Sequence, residues 1–201
     1  MTVDTPHASV RQADPRADLQ VVLDVLTDAF MNDPVVCWLF PDPGVRGLLQ
    51  RHFYRPVLTR PAAEAYLAGG DEGAAIWVAL PSGRTPYEEE PPDGSASVFG
   101  GSSARLSALG TALAARHPLG ESHLYLPCMG VAGGRQGTGL GSAMLRHRLA
   151  RADADGLPAY LEASTPRSRA FYQRHGFTDL GEPVRVADSP PLWPMWRPAH
   201  R

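Results

Sequence analysis

The sequence predicts one α/β domain over residues 9–201, in which a mixed β-sheet carries helices on both faces. The first reason is length, because 201 residues suffice for a single full-sized core. The second is composition, since 43% hydrophobic and 20% charged residues is the balance of an ordinary globular protein. The third is that stretches with helical spacing of apolar residues alternate with short β-like runs, as in α/β folds.

The N-terminal part is predicted to contain a flexible tail, a short strand and two helices. Residues 1–8 are expected to form the tail and Ser9–Ala13 the strand. A helix opens after Asp14-Pro15 and ends at Asn32-Asp33-Pro34, because the residue before a proline is pushed out of the helical region. A second helix is expected from about Gly44 to Thr59.

A hairpin and a loop are predicted next. The runs Ala63–Leu67 and Ala74–Leu80 are separated by glycines and acidic residues, which indicates a β-hairpin. Pro81–Ser95 is rich in proline and acidic residues and predicts an exposed loop before a helix near Ser97–Arg116. A linker between two domains is the alternative interpretation of that stretch.

The C-terminal part alternates strands with helices. The predicted elements are a strand His123–Val131, a helix Leu140–Asp153, a strand Ala159–Ala163, a helix Pro166–His175, and one or two strands from Phe177 to near Trp196.

Composition argues against several kinds of partner. The net charge of −2 gives no electrostatic reason to expect nucleic acid. No apolar run approaches the roughly 18–20 residues that cross a bilayer, and the N-terminus lacks the apolar centre of a signal peptide, so a cytoplasmic protein is expected. Cys37 and Cys128 have neither the number nor the spacing of a disulfide framework or a metal site.

The most informative segment joins the predicted strand ending at Val131 to the helix beginning at Leu140. Five of the nine residues from Gly133 to Gly141 are glycine. The first turn of a helix leaves main-chain N–H groups without partners and carries partial positive charge, and glycine lets an anion approach them. The segment therefore predicts a phosphate or diphosphate site, with a flexible turn that caps the helix as the structural alternative.

Two other phosphate-binding loops do not fit the spacing. A P-loop ends in Gly-Lys-Ser or Gly-Lys-Thr, and all 19 basic residues of this chain are arginine. A dinucleotide-binding fold needs GxGxxG, whereas residues 137–141 give GxGxG.

The remaining pattern, Gln136-x-x-Gly139-x-Gly141, resembles the signature of the GCN5-related N-acetyltransferase (GNAT) superfamily. The family's second motif, a helix ending in a Phe/Leu-Tyr-x-x-x-Gly-Phe pattern, is similar to Phe171–Phe177. The resemblance is closer still to puromycin N-acetyltransferase-like members, through residues 161–167 and the Trp-x-Met-x-Arg ending at Arg197.

The resemblance implies a fold and a different functional role for each half of the chain. It implies a single-domain GNAT-like fold, with a mixed but mostly antiparallel central sheet flanked by helices and with splayed central strands. It also implies an acceptor-side half at 9–121 and an acetyl-CoA-binding half at 122–201.

By the same resemblance, acetyl-CoA is the cofactor, no metal is required, and the loop amides hold the diphosphate. Ser168 stands where the family commonly has Asn, which implies a weaker or water-mediated contact. The implied cofactor-binding residues are Met129, Gly130, Val131, Arg135, Gln136, Gly137, Thr138, Gly139, Leu140, Gly141, Ser142 and Ser168.

Tyr172 and Glu162 are the candidate catalytic residues. Reference pKa values of about 10 for Tyr and 8.5 for a thiol make full proton transfer uphill by roughly 2 kcal/mol, so Tyr172 is expected to donate a hydrogen bond to the departing sulfur. A core aromatic is the alternative for Tyr172. Glu162 is a candidate base, with a structural pairing to an Arg as the alternative; an α-amine needs no more than a water chain.

The acceptor site is the least determined part. His123 and Tyr125 share one face of their strand, and aromatic and acidic residues of the N-terminal half are candidate walls, although such residues are also ordinary in a core. The candidate substrate-binding residues are Asp33, Trp38, Tyr54, Trp77, His123 and Tyr125.

Three functions are compatible with these features. The first is acetylation of a small-molecule primary amine, such as an antibiotic or aminonucleoside-like compound, by a monomer or homodimer. The second is acetylation of a protein N-terminus or side chain, for which the acidic run at 88–90 is a slight indication. The third is a non-catalytic CoA-binding sensor.

Overall fold

The computed structural model describes residues 9–86 and 98–200. The helices are α1 Leu19–Phe30, α2 Pro34–Leu39, α3 Pro43–Leu58, α4 Ser103–Ala114, α5 Leu140–Ala154 and α6 Pro166–Gln173. The strands are β1 Val10–Gln12, β2 Ala63–Ala68, β3 Gly73–Leu80, β4 His123–Val131, β5 Ala159–Ala163, β6 Thr178–Asp179 and β7 Trp193–Arg197.

The described strands form one seven-stranded sheet in the order β1-β2-β3-β4-β5-β7-β6. Neighbouring strands are antiparallel except β4 and β5, which run parallel. Registered pairs between β4 and β5 are confined to Leu124 with Ala159 and Tyr125 with Tyr160. The two central strands therefore diverge beyond Tyr125, and the predicted fold class, a mostly antiparallel sheet with splayed central strands, is confirmed.

Helices cover both faces of the sheet because each helix carries an apolar stripe. On one face, Met144 and Leu145 of α5 are completely buried against a core that includes Trp77 and Leu161. On the other face, Leu23 and Leu26 of α1 pack into a core that contains Ile76 and Cys128. We call these the α5 face and the α1 face. Burying each such side chain contributes about 1.5–3 kcal/mol, so the sheet is fixed between two apolar layers.

A β-bulge interrupts the pairing of β3 with β4. Ile76 pairs with Cys128 and Val78 with Tyr125, so the one residue between them on β3 faces two on β4. One of those two is Pro127, which has no N–H for the ladder and is tolerated in a strand at a bulge. The extra residue reverses the side-chain alternation, and Cys128 consequently reaches the α1 face.

Helix α2 is the main element that the apolar spacing did not reveal. The Asp33 side chain accepts hydrogen bonds from the N–H groups of Val35 and Val36, and Pro34 occupies the first helical position. Asn32-Asp33-Pro34 thus ends α1, as predicted, and also begins a new helix. Six residues are too few to show a helical period in the sequence.

Apart from α2, the predicted bounds of the helices and strands agree with the observed ones within a few residues, with a larger difference at α4. The predicted helix near Ser97–Arg116 is represented by a 3₁₀ turn at Gly100–Ser102 followed by α4. The predicted tail at 1–8 and most of the predicted acidic loop, including residues 87–95, lie outside the described residues.

No helix within 9–86 and 98–200 is long and apolar enough to span a bilayer. In the same ranges, no group of three His, Cys, Asp or Glu side chains is arranged to hold a metal ion.

Candidate active site

The glycine loop is exposed and presents main-chain donors. Residues 133–139 are all exposed, and Leu140, the first residue of α5, is buried. Gly139 caps α5 with φ 89° and ψ −4°, and no side chain among the described residues bonds to the free amides of the first turn. Only glycine adopts this left-handed conformation without strain. The loop therefore leaves the N-terminal amides of α5 open to an anion.

Neighbouring acidic side chains hold the loop in place. The N–H of Gly133 donates to Asp28 Oδ2 of α1 at 2.8 Å, and Arg135 Nε donates to Glu72 Oε2 at 2.8 Å. Thr138 Oγ1 donates to the Arg135 carbonyl oxygen at 2.7 Å, which closes the turn internally. These three bonds use the Gly133 amide, the Arg135 side chain and carbonyl oxygen, and the Thr138 hydroxyl. Among the described residues, none accepts a hydrogen bond from the amides of residues 136–142. The residues present therefore fit a diphosphate.

The end of β4 is close to α1. A Cβ added to Gly130 would stand 2.5 Å from Ala29 Cβ, so a larger residue is excluded there. Met129 and Val131 are half-buried and point to the α5 face, as the bulge requires. These three residues lie where β4 has lost its pairing with β5, which leaves this edge of β4 available to a ligand.

The left-handed cap provides a direct test of the loop. Replacing Gly139 by Ala places a Cβ in open space, so only the backbone conformation is strained, by about 1–2 kcal/mol. We expect the dissociation constant of CoA, measured by calorimetry, to rise about tenfold as the amides turn away.

Gly134 is the matched control, because its Cβ would also meet nothing within 4 Å and its φ is not positive. Gly134→Ala is expected to bind CoA like the parent protein. Equal affinities for all three proteins would show that the loop amides do not bind the cofactor.

Tyr172 is held in the core at the end of α6. The helix starts with a capping box in which Thr165 Oγ1 accepts from the Ser168 N–H and Ser168 Oγ accepts from the Thr165 N–H. Tyr172 itself is buried, and within the described residues no hydrogen bond to its hydroxyl is formed. Burial, followed by the charges of Cys128 and Asp33, raises the pKa of Tyr172. The phenol therefore stays protonated and able to donate.

Glu162 and Tyr125 meet on the α1 face beside the splayed strands. Tyr125 OH donates to Glu162 Oε2 at 2.9 Å across β4 and β5. Burial raises the pKa of the neighbouring Cys128 thiol to about 12, with further contributions from Glu162 and Asp33. Cys128 is thus neutral and unreactive, and the charges of both carboxylates act on it.

Asp33 is a partly buried carboxylate that forms no salt bridge within the described residues. Its Oδ2 accepts from Ser164 Oγ at 2.6 Å, and its Oδ1 accepts from two amides of α2. Desolvation raises the pKa of Asp33 in spite of these three hydrogen bonds. An anionic group kept out of water without a cation suits a cationic ligand.

The remaining predicted substrate residues fall in different places. Tyr54 is buried on the α1 face, where desolvation and then the charges of Cys128 and Asp33 raise its pKa. Trp38 is half-buried on α2 and donates from Nε1 to Asp188 Oδ1 at 2.9 Å. Trp77 points to the α5 face and is part of that core, apart from the others. A substrate role for each remains a prediction.

His123 lies in a buried histidine pair at the start of β4. Its Nε2 is 3.0 Å from His117 Nε2, and its Nδ1 is 2.9 Å from the Glu121 carbonyl oxygen. Burial lowers the pKa of His123, and burial together with the charge of His123 lowers the pKa of His117 to about 4. Both rings are therefore neutral at pH 7 and pack against Tyr160.

Sequence reasoning missed three side chains that complete the site. Ser164 belongs to a motif that the sequence displays, but nothing local indicates its bond to Asp33. Cys128 reaches the site only because of the bulge, and Asp28 contacts the loop 105 residues away in sequence. Such pairings are set by tertiary structure and leave no signal in a local pattern.

Comparison with known proteins places this geometry in a family. Residues 71–177 match the sequence profile of the acetyltransferase (GNAT) family. A structure described as histone acetyltransferase HPA2 and related acetyltransferase, from Corynebacterium glutamicum, is 29% identical, with a TM-score of 0.71 over 97% of this chain and 98% of that one.

More distant structures share the fold. Arylalkylamine N-acetyltransferase 2 from Aedes aegypti is 14% identical, with a TM-score of 0.64 over 96% of this chain and 99% of that one. The ribosomal-protein-S18-alanine N-acetyltransferase from Escherichia coli is also 14% identical, with a TM-score of 0.55 over 96% of this chain and 95% of that one.

Proposed function

The chain belongs to the acetyltransferase (GNAT) family and is an acetyl-CoA-dependent N-acetyltransferase, and from that premise we propose that its acceptor is the primary amine of a small molecule. We further propose that the acetyl group passes directly to the amine while both substrates are bound. The resemblance to puromycin N-acetyltransferase-like sequences supports an antibiotic or aminonucleoside-like amine as the class to test first.

One observation carries the choice of acceptor. Near the splay of β4 and β5, Glu162 accepts a hydrogen bond from Tyr125 OH and Asp33 accepts one from Ser164 Oγ. The charges of both carboxylates contribute to the raised pKa of Cys128. Helix α1 covers this face of the sheet, and the aromatic ring of Tyr54 packs on the same side. Two carboxylates beside an aromatic side chain favour a small protonated amine.

Acetyl-CoA supplies the activated acetyl thioester. The amides from Gln136 to Ser142 would hold its diphosphate, and the unpaired edge of β4 near Met129 would accept its pantetheine arm. Main-chain N–H groups at Met129–Val131 would polarise the thioester carbonyl. The chain thereby fixes the donor by backbone contacts, which depend little on side-chain identity.

The acceptor amine must lose protons before and during attack. Asp33 binds the incoming ammonium group, which gives its first proton to solvent before attack. Glu162 accepts the second proton as the C–N bond forms, directly or through one water. A C–N bond forms as the C–S bond breaks, and the sulfur leaves with negative charge. Tyr172 donates a hydrogen bond to that sulfur; its raised pKa makes complete proton transfer unfavourable, so the thiol is completed from solvent.

Acetylation of a protein amine is the second candidate. It is favoured by the similarity to the Corynebacterium structure, which is described as a histone acetyltransferase. The acidic run at 88–90 that pointed to a protein substrate lies outside the described residues. A non-catalytic sensor is no longer a candidate, because the family and its structural neighbours are acetyltransferases.

The decisive experiment measures thiol release from acetyl-CoA with two matched panels. One contains small primary amines, among them arylalkylamines, aminonucleosides and aminoglycosides, and the other contains peptides with free N-termini or lysine side chains. We expect kcat/KM at least about 100-fold higher for the best small amine, a difference of about 2.7 kcal/mol in transition-state binding.

A preference for peptides by the same margin would select the second candidate. Folded protein that binds CoA and turns over neither panel would contradict both. Mass spectrometry of the product should show acetylation on nitrogen alone.

A further inference from the structure

The first turn of α5 and the end of α6 are joined by a side-chain contact that the reaction described above does not use. His175 Nε2 lies 3.0 Å from Ser142 Oγ, in the third residue of α5. The N–H of His175 donates to the carbonyl oxygen of Tyr172 at 2.9 Å. His175 therefore contacts the first turn of α5 through its imidazole and the residue that carries the candidate hydrogen-bond donor through its main chain.

Packing fixes the position of this imidazole. The ring of His175 packs edge-on against Phe171, with ring centroids 4.7 Å apart. Phe171 in turn lies against the first turn of α5, since a Cβ on Gly141 would be 3.3 Å from its Cζ. The His175 ring is consequently held beside the amides that face the diphosphate.

The charges around His175 are almost all positive. Burial lowers its pKa, and the charges of Arg146 on α5, Arg174 on α6 and Arg197 on β7 lower it further. Asp153 pairs with Arg197 through two bonds of 2.7 Å, and no carboxylate of the described residues bonds to His175 itself. The imidazole is therefore neutral at pH 7 before an anion arrives.

We propose that His175 is a proton-linked positioning residue of the cofactor site, which orients the Ser142 hydroxyl and takes up a proton from solvent when the diphosphate of CoA binds. This inference rests on the cofactor site of the proposed function. The anion offsets the surrounding guanidinium charges and favours the imidazolium, which then donates to Ser142 from Nε2. The hydroxyl proton of Ser142 is thereby left free to point at a phosphate oxygen.

Proton uptake by His175 determines whether CoA affinity rises or falls with pH. Binding raises the pKa of His175, so CoA affinity increases as pH falls through the pKa of the complex and levels off below that of the free protein. Because one pKa unit corresponds to a tenfold change in affinity, we expect binding about three- to tenfold tighter at pH 6 than at pH 8.

Calorimetry with dephospho-CoA tests the proposal. This probe keeps the diphosphate but lacks the terminal phosphate monoester, which itself titrates near pH 6. Titrations at pH 6, 7 and 8, each in two buffers of different ionisation enthalpy, give both the affinity and the number of protons taken up. The unmodified protein is expected to take up a fraction of a proton at pH 7.

His175→Gln keeps a polar group near Ser142 but cannot be protonated, and it should bind with an affinity that does not vary with pH. His147→Gln is the control, because His147 lies on α5 like Ser142 but packs against Tyr66. This variant should retain the pH dependence of the parent protein. Ser142→Ala combined with His175→Gln is expected to weaken binding no further than His175→Gln alone, since both act on one contact.

Affinity that is independent of pH in the unmodified protein, with no proton uptake, would overturn the proposal even if His175→Gln failed to fold. Retention of the pH dependence by folded His175→Gln would do the same. Complete absence of dephospho-CoA and CoA binding would instead contradict the cofactor site, so the two failures are distinguishable.

Discussion

Replacing Tyr172 by Phe is expected to lower kcat about 100-fold and to leave the dissociation constant of CoA unchanged. Proton-donating groups contribute about 10²–10⁴ to rates, and a hydrogen bond without full transfer belongs at the low end of that range. Burial keeps the Tyr172 phenol protonated by raising its pKa, so kcat should show no alkaline decline from this group at pH values up to about 10. Stopped-flow or steady-state thiol detection measures the first quantity and calorimetry the second.

Tyr66→Phe is the matched control for this substitution. Tyr66 is also buried, and its hydroxyl contacts Glu64 of β2 and Arg151 of α5. Its loss should leave kcat within about threefold of the parent value, some 0.7 kcal/mol. If Tyr172→Phe behaved like this control, the role in stabilising the departing sulfur would have to go to another group.

Replacing Asp33 by Asn is expected to lower kcat/KM for the amine roughly 10- to 100-fold and to leave the fold as stable or make it more stable at pH 7. The loss of activity follows from removing a charged hydrogen-bond acceptor worth about 1.5–3 kcal/mol. The cap of α2 survives, because Asn caps a helix as well as Asp. Activity and stability should therefore change in opposite directions.

The stability effect has a definite pH window. The pKa of Asp33 is raised in the folded state, so the fold favours the protonated carboxyl and stability falls as pH rises from the unfolded value, about 3.9, through the folded pKa. Above that window Asn removes the cost of the buried charge, and below it the two proteins should melt alike. Thermal melts at pH 3.5 and pH 7 measure the difference.

Asp42→Asn provides the control, since Asp42 caps α3 in the same manner but is exposed. It should change neither kcat/KM nor the melting temperature appreciably. A destabilised Asp33→Asn protein with normal kcat/KM would show that Asp33 is only a helix cap.

The glycine loop proposed to bind the cofactor was predictable because its signal lies in residues adjacent in sequence. Glycines at 137, 139 and 141 sit between a strand and an amphipathic helix, and that order alone places free amides at the start of α5. The helix that carries Tyr172 was also predicted from the sequence, over Pro166–His175, and the structure has it at Pro166–Gln173.

The acceptor half was not predictable in detail because its contacts are long-range. Asp33 and Ser164 are 131 residues apart in sequence, and Tyr125 and Glu162 are 37 apart. Strict alternation along β4 would have put Cys128 on the α5 face with Leu124 and Leu126; the bulge at Pro127 turns it to the other side.

By itself the sequence determined the α/β fold, the glycine loop before α5 and the helix that carries Tyr172, because glycine, helix starts and apolar spacing act through neighbouring residues. The tertiary structure alone decided which hydroxyl groups bond to Asp33 and Glu162 near the splay of β4 and β5. It also decided that Trp77 and His123 pack in the core. It also brought His175 to Ser142. Those outcomes depend on strand register, one bulge and helix packing, which are settled only when distant segments bury their apolar faces together.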